Sequence, residues 1–231
     1  MRILFAALRA AVAIAIVAAI VGQLLTSLAF WSDRGVTNIG SNVVNFFSFF
    51  TIESNVAAVA VLAVGAGLLA TRSGDDPEWF QVTRAAVVSY MVVTGVVYNL
   101  LLRGIELPQG ATLGWSNEIV HAVAPAYLLL DWILAPGRRA IPARRIGTIL
   151  VYPLVWVVYT LVRAPFVTDQ VYKTDYWYPY PFLNPNTSAQ GYISVAFYVV
   201  LIAAVIGLTA AGVLWISRRG GVARAEFRQA S

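Results

Sequence analysis

The chain has 231 residues, of which 59% are hydrophobic and 12% are charged, and its mean hydropathy is +0.73. A typical soluble domain has roughly 25% charged residues, so this composition excludes a soluble globular domain and predicts that much of the surface faces lipid. The net charge of +5 would suit a nucleic-acid partner, but the basic residues follow a membrane topology instead, and we expect no nucleic acid.

Six apolar runs predict an all-α polytopic membrane protein with a single transmembrane domain over 1–231. Each run is close to the roughly 20 residues that cross a bilayer as a helix. The predicted spans are about 8–30, 43–70, 82–102, 117–135, 145–162 and 190–216. The first run is longer than the apolar part of a typical signal peptide, so we expect it to stay in the protein as the first span.

The basic residues fall mainly on one side of this predicted arrangement. Twelve arginines lie at the N-terminus, in the second and fourth connections or in the tail, whereas the other side has Arg34, Arg103, Arg163 and Lys173. Cytoplasmic segments of membrane proteins carry the excess of basic residues, so we expect both termini to be cytoplasmic. The preference for arginine over lysine, with many Ala and Val residues, suggests a bacterial protein of the inner membrane.

The second predicted span contains FFSFFTIESN, Phe46 to Asn55, which has several polar side chains for a membrane segment. A continuous helix turns by about 100° per residue. Five polar side chains of this region then share an arc of about 120°: Ser41, Asn45, Ser48, Thr51 and Asn55. Such residues often join transmembrane helices through hydrogen bonds, and that structural role is one interpretation of the stripe. The other interpretation is an active site.

The fourth predicted span, GWSNEIVHAVAPAYLLLD, contains the only histidine of the chain, His121. Asn117 precedes it by one helical turn and Pro125 follows it by one turn, so the three residues share a face. Because Pro125 has no N–H, the carbonyl of His121 loses its helical partner, and we expect a kink there. An ionisable residue inside a membrane span is a candidate functional residue, although a structural role for a single histidine is equally open.

Thr51 and His121 both lie in the outer half of the predicted membrane, so their spans can bring them together. A threonine hydroxyl needs a base to take its proton, and a neutral imidazole is a common base. We therefore predict a catalytic pair in which Thr51 attacks an ester carbonyl to give an acyl-threonine that water hydrolyses. The candidates for orienting the histidine or for stabilising an oxyanion are Asn117, Ser48, Asn55 and Tyr98.

The outer loop 164–189 is long and combines tyrosines, Trp177 and four prolines. It is interpreted either as a plug in the headgroup zone or as a lid over a substrate. Arg163 ends the fifth predicted span beside this loop, and Arg103 ends the third. These arginines are candidates for binding the free carboxylate of a branched fatty ester, with simple extension to the interface as the alternative.

Three motifs resemble a known family: FFT entering the second span, W-x-N-x-x-x-H at Trp115, Asn117 and His121, and YPYPFLNP before the last span. Over about residues 40–215 the chain resembles the androgen-induced membrane proteins and their bacterial relatives. The resemblance implies a multipass threonine hydrolase of fatty acid esters of hydroxy fatty acids. It also implies that Thr51 is the nucleophile and His121 the catalytic histidine. Glu53 and Glu118 depart from the family's core motif.

A small proton- or ion-coupled transporter is the main alternative, and a non-catalytic membrane protein is another. The transporter would use Glu53, Glu118, Asp131 and His121 as a path for ions. The lack of an internal sequence repeat argues against it. A single histidine excludes a haem with two axial histidines. A catalytic zinc ion needs three ligands, and Glu53, Glu118 and His121 could supply them only with poor geometry, so we expect no metal and no cofactor. The expected partners are a lipid ester and the bilayer, and the oligomeric state stays open.

Overall fold

The structure is a computed structural model that describes residues 1–105 and 110–229, with side chains as far as residue 219. Arg224 and Arg228 of the basic tail, which the topology prediction includes, lie outside the described side chains. Within the described residues the chain is helical, and its one strand-like feature is an isolated bridge between Asp169 and Thr174. The predicted all-α class is confirmed for this part of the chain.

The helices follow the predicted apolar runs. They are α1 (Arg2–Asp33), α2 (Ile39–Phe47), α3 (Phe50–Thr71), α4 (Glu78–Val97), α5 (Gly114–Glu118), α6 (Ala124–Leu134), α7 (Arg145–Arg163) and α8 (Tyr192–Gln229). One π-helical segment, Tyr98–Leu102, extends α4, and another, Ile119–Val123, joins α5 to α6. Among the described residues, five helices are long and apolar enough to cross a membrane: Arg2–Asp33, Phe50–Thr71, Glu78–Leu102, Arg145–Phe166 and Tyr192–Arg219.

The fourth predicted span, 117–135, corresponds to α5, the π-helical segment and α6, which follow one another from Gly114 to Leu134 without a break. The helix is therefore present, but its backbone changes register around His121. In the π-helical turn, the N–H of Ala124 bonds to the carbonyl of Ile119 instead of that of Val120. This change of register determines how the carbonyls near His121 are paired.

The prediction of one continuous helix over 43–70 is wrong. α2 ends at Phe47, and Phe49 has an extended backbone with φ −69° and ψ 129° before α3 begins at Phe50. The Oγ of Ser48 donates to the carbonyl of Val44 at 2.7 Å, which satisfies a carbonyl at the end of α2. The polar stripe from Ser41 to Asn55 is thus divided between two helices, and Thr51 lies in the first turn of the second.

A buried ion cluster connects α1, α3, α4 and α6. Arg9 Nε lies 2.9 Å from Asp131 Oδ1, and Arg84 Nη2 lies 2.6 Å from Asp131 Oδ2. Arg9 Nη1 also donates to the carbonyl of Gly65 at 2.9 Å, where a Cβ would come within 2.6 Å of the same nitrogen. Arg9 and Arg84 were assigned to the flanking segments from the sequence. Both are instead interior residues, because the buried carboxylate of Asp131 pairs with both of them and that of Asp76 lies 3.8 Å from Arg84 Nη1.

Candidate active site

Thr51 and His121, 70 positions apart in the sequence, meet in the structure: Thr51 Oγ1 lies 3.2 Å from His121 Nε2. The first turn of α3 positions the threonine, and the π-helical segment between α5 and α6 positions the histidine. Each residue is 8% exposed. The contact predicted from the two spans is present, and it is shielded from bulk solvent.

The other ring nitrogen of the histidine fixes the tautomer. His121 Nδ1 lies 3.0 Å from the backbone carbonyl of Asn117, one turn earlier. A carbonyl oxygen only accepts hydrogen bonds, so Nδ1 of the neutral ring has the proton and Nε2 has the free lone pair. The hydroxyl of Thr51 therefore donates to Nε2. This is the arrangement in which a histidine takes a proton from a nucleophile.

Two asparagines donate hydrogen bonds to backbone carbonyls that lack their usual helical donor because of the π-helical turn and Pro125. The carbonyl of Val120 has lost the N–H of Ala124, and it accepts from Asn55 Nδ2 at 3.2 Å. The carbonyl of His121 has no partner at Pro125, and it accepts from Asn99 Nδ2 at 3.2 Å. The predicted loss of a helical bond at His121 is confirmed, and the replacement bonds hold the segment in place.

Asn55 also donates to the carbonyl of Thr51 at 2.9 Å, so one amide group connects the start of α3 with the π-helical segment that contains His121. Both of these hydrogen bonds are to backbone carbonyls, so the position of Asn55 suits fixing the backbone. The side chain of Asn117 donates to the hydroxyl of Tyr98 at 2.5 Å, while its backbone carbonyl orients His121. The ring of Tyr98 stacks on the ring of His121. Sequence reasoning included Tyr98 and Asn117 for their side chains and missed the backbone contact.

A residue of the loop between α7 and α8 completes the site. The hydroxyl oxygen of Tyr180 accepts from the N–H of Thr51 at 3.2 Å and lies 3.3 Å from Thr51 Oγ1. Because the Thr51 proton is directed to His121, the phenol O–H of Tyr180 donates to Thr51 Oγ1. Phe49 packs edge-on against the Tyr180 ring and Phe182 stacks on it. Tyr180 was absent from the predicted site residues, and the only sequence signal was its place in the aromatic motif YPYPFLNP.

An apolar cavity extends from Thr51 between α4, α7 and α8. Aliphatic side chains supply most of its wall, among them Val93, Val97, Val157, Val199 and Ile206. Hydroxyl groups occur only at one part of this lining, on Thr51, Thr94, Tyr98 and Tyr180 among the described residues. The cavity suits a hydrocarbon chain with a polar group at one end.

A second cavity, which Thr51 also lines, lies between α1, α2 and α5. Its lining includes His121 and several polar residues, which are Gln23, Thr112, Ser116 and Asn117. Gln23 Oε1 accepts from the backbone N–H of Leu113 at 2.8 Å and so fixes the chain that covers this cavity. Thr51 is therefore at the boundary between an apolar and a more polar space.

The remaining predicted residues lie outside the Thr51–His121 contact. Ser48 Oγ lies 3.0 Å from the hydroxyl of Tyr159, at the break between α2 and α3. Arg163 Nη2 donates to Asn45 Oδ1 at 2.8 Å, and Arg103 pairs with Glu118 through two contacts of 2.7 and 3.1 Å. Neither arginine is among the described residues that line the two cavities. Their predicted binding of a substrate carboxylate stays a prediction.

The carboxylates considered for a metal or an ion path have separate partners. Glu118 pairs with Arg103, Glu53 accepts from the hydroxyl of Tyr152, and Asp131 belongs to the buried ion cluster. Within the described part of the chain, no three His, Asp or Glu side chains are arranged to hold a metal ion. The polar residues converge instead on the hydroxyl of Thr51.

The chain was compared with protein-family models, with curated proteins and with solved structures. None of them matches. The function is therefore argued from the geometry of the site and from the resemblance of its motifs.

Proposed function

We propose that this protein is an intramembrane hydrolase of lipid esters, with Thr51 as the nucleophile and His121 as the general base. The observation that carries the proposal is the 3.2 Å contact between Thr51 Oγ1 and His121 Nε2, on a ring whose Nδ1 donates to a carbonyl. General-base activation of a hydroxyl requires this combination of distance and tautomer. No cofactor enters the mechanism.

In the first step, His121 Nε2 takes the proton of Thr51 while Oγ1 bonds to the acyl carbon of the ester. The bond from that carbon to the alcohol oxygen then breaks, and His121 returns the proton to the departing alkoxide. In the second step, water gives a proton to His121 and attacks the acyl-threonine. The bond to Oγ1 breaks, Thr51 recovers its proton, and the products are a carboxylic acid and an alcohol.

Tyr180 is the best placed donor for the charge that develops during these steps. Its hydroxyl lies 3.3 Å from Thr51 Oγ1, and the oxyanion forms on the carbonyl oxygen bonded to the carbon that Oγ1 attacks. A donor fixed before the reaction, in a site shielded from water, stabilises such charge strongly. Three aromatic rings, those of Phe49, Trp156 and Phe182, hold the Tyr180 ring in this position.

The resemblance to the androgen-induced membrane proteins supports the same function. Its three motifs lie far apart in the sequence, yet each contributes a residue to one site: Thr51, His121 and Tyr180. We propose that the chain is a bacterial member of this family and that its substrates are fatty acid esters. A proton-coupled transporter has less support, because the intramembrane carboxylates are engaged in separate pairs.

We also propose six membrane spans with both termini cytoplasmic, in a bacterial inner membrane. The continuous helical stretch Gly114–Leu134 serves as the sixth span beside the five long helices. The buried ion cluster includes Arg9 and Arg84, and the other ten arginines of the topology prediction still favour a cytoplasmic side. This orientation places the loop that contains Tyr180 outside.

The experiment that tests the proposal is the variant Thr51→Val, purified as the full chain in detergent and assayed on fatty acyl esters. We expect turnover to fall by at least about 10³-fold, and His121→Ala to lose a similar amount, because residues that act as a unit are not additive. The double variant should be little worse than either single one. A fluorophosphonate probe should label the wild type and fail to label Thr51→Val.

Thr160→Val is the matched control, because Thr160 is a buried threonine of α7 whose hydroxyl has no hydrogen-bond partner. It makes the same chemical change away from the site and should keep the wild-type rate. If Thr51 only joins helices, Thr51→Val should cost about 0.6 kcal/mol of stability and keep its activity. An active, probe-labelled Thr51→Val protein would refute the proposed function.

A further inference from the structure

We infer that the two cavities at Thr51 divide the ester: the acyl chain occupies the apolar cavity, and the alcohol and the attacking water occupy the polar one. This inference rests on the proposed hydrolase function and adds the direction in which the substrate lies. Thr51 lines both cavities, so an ester carbonyl at Oγ1 has one side toward each of them. The chemical roles proposed for His121 and Tyr180 determine which cavity receives the acyl chain and which receives the alcohol.

His121 lines the polar cavity. In the proposed reaction this residue hands a proton to the departing alcohol oxygen and later takes one from the attacking water. Both oxygens must therefore come within hydrogen-bond reach of Nε2. The alcohol and the water thus belong on the side of Thr51 that His121 faces, and Gln23 and Thr112 give that side further polar groups.

Tyr180 lines the apolar cavity. A donor to the oxyanion stays beside the acyl carbon through both steps, because that carbon remains bonded to Oγ1 after the alcohol has left. The acyl chain attached to it then extends along the aliphatic wall of α4, α7 and α8. Burying a hydrocarbon chain against such a wall removes apolar surface from water and so stabilises the complex with each additional CH₂.

The linings of the cavities indicate the substrate class. Aliphatic and aromatic side chains supply most of the lining of the apolar cavity, whereas the lining of the polar cavity includes Gln23, Thr112, Ser116 and Asn117. We therefore expect an ester of a long-chain fatty acid with an alcohol that bears polar groups. An ester with the opposite distribution, a short acid on a long hydrocarbon alcohol, should be a poor substrate.

The test uses two tryptophan variants and two ester series. Ala203→Trp narrows the apolar cavity from α8, and Thr112→Trp narrows the polar cavity from an exposed position. One series varies the acyl chain from butyryl to palmitoyl on p-nitrophenol. The other keeps the butyryl group and varies the alcohol from methanol to naphthol.

Ala203→Trp should lower the ratio of kcat/KM for palmitoyl over butyryl esters by about tenfold and leave the alcohol ratio unchanged. Thr112→Trp should lower the ratio for naphthyl over methyl esters by about tenfold and leave the acyl ratio unchanged. Ala204→Trp is the matched control. Ala204 is the next residue of α8 after Ala203, it is exposed, and it is not among the described residues that line either cavity. Ala203→Phe places a smaller obstruction than Trp in the apolar cavity. Thr112→Ser changes the same position of the polar cavity without obstructing it.

Exchanged effects, with Ala203→Trp acting on the alcohol series, or no change in either ratio, would overturn the assignment. These results are distinct from failure of the hydrolase mechanism. If Thr51→Val inactivates the enzyme and the ratios do not change, the division of the ester is wrong and the nucleophile stands. If Thr51→Val stays active, both proposals fall.

Discussion

The ring of Tyr98 covers one face of the His121 imidazole, with ring centroids 3.7 Å apart and planes inclined by 19°. Both residues lie in π-helical segments, Tyr98–Leu102 and Ile119–Val123. The stacked ring and the Asn117 carbonyl restrain the imidazole in two directions. The hydrogen bond to Asn117 limits rotation of the imidazole within its own plane, and the Tyr98 ring limits its movement out of that plane.

This stacking predicts different results for two substitutions. Tyr98→Leu removes the ring, and we expect kcat to fall by about tenfold because the imidazole no longer stays aligned with Thr51. Tyr98→Phe keeps the ring and removes only the acceptor for Asn117, so kcat should stay within about threefold. Steady-state kinetics on one fatty acyl ester measures both. Equal losses in the two variants would show that the hydroxyl, not the stacking, matters.

Tyr180→Phe tests the donor to the oxyanion. The variant keeps the aromatic contacts with Phe49 and Phe182 and loses one O–H. We expect kcat to fall by about 10²-fold with little change in KM, as for other oxyanion donors. Tyr178→Phe, a buried tyrosine of the same loop, is the control and should retain the wild-type kcat. A Tyr180→Phe enzyme with the wild-type kcat and a raised KM would assign Tyr180 to binding alone.

The buried ion cluster predicts a large effect on stability. Asp131→Asn leaves Arg9 without its carboxylate partner and leaves Arg84 with only the 3.8 Å contact to Asp76. Breaking a buried pair in this way costs about 3–5 kcal/mol. Glu78→Gln breaks an exposed pair with Arg145 and should cost less than about 1 kcal/mol. Thermal unfolding in detergent compares the two. Similar melting temperatures for the two variants would mean that the cluster contributes little to the fold.

The proposed orientation predicts which cysteines an impermeant thiol reagent reaches. The chain has no cysteine, so Ser73→Cys and Thr187→Cys each introduce a single exposed thiol. In intact cells Thr187→Cys should be labelled, whereas Ser73→Cys should react only after lysis. Labelling of Ser73→Cys but not of Thr187→Cys in intact cells would reverse the topology.

The positions of the helices could be predicted from the sequence because hydrophobic runs of membrane length have few alternatives. The meeting of Thr51 with His121 could be predicted as well, since their depths and residue types agree. The break between α2 and α3 could not, because FFSFF has neither Gly nor Pro to mark it. The π-helical register around His121 depends on Asn55 and Asn99 from other helices, and local sequence does not report such contacts.

Tyr180 shows a further limit. Its loop could be recognised as a plug or a lid from its aromatic composition, but several tyrosines in it look equivalent. Only the packing of Tyr180 against Phe49 and Phe182 determines which hydroxyl reaches Thr51. Arg9 and Arg84 show the same limit, because their pairing with Asp131 requires three helices, α1, α4 and α6, to be assembled.

The start of α3 at Phe50 gives the proposed nucleophile, Thr51, an electrostatic advantage. The aligned peptide dipoles of a helix leave a partial positive charge at its N-terminus, and Thr51 lies in the first turn of this 22-residue helix. Negative charge that forms on Oγ1 during attack is therefore stabilised by the backbone of α3 itself. In an unbroken helix over 43–70, Thr51 would lie in the interior and lose this field. A substitution that rejoins α2 to α3 would thus slow the reaction even if Thr51 and His121 stayed in contact.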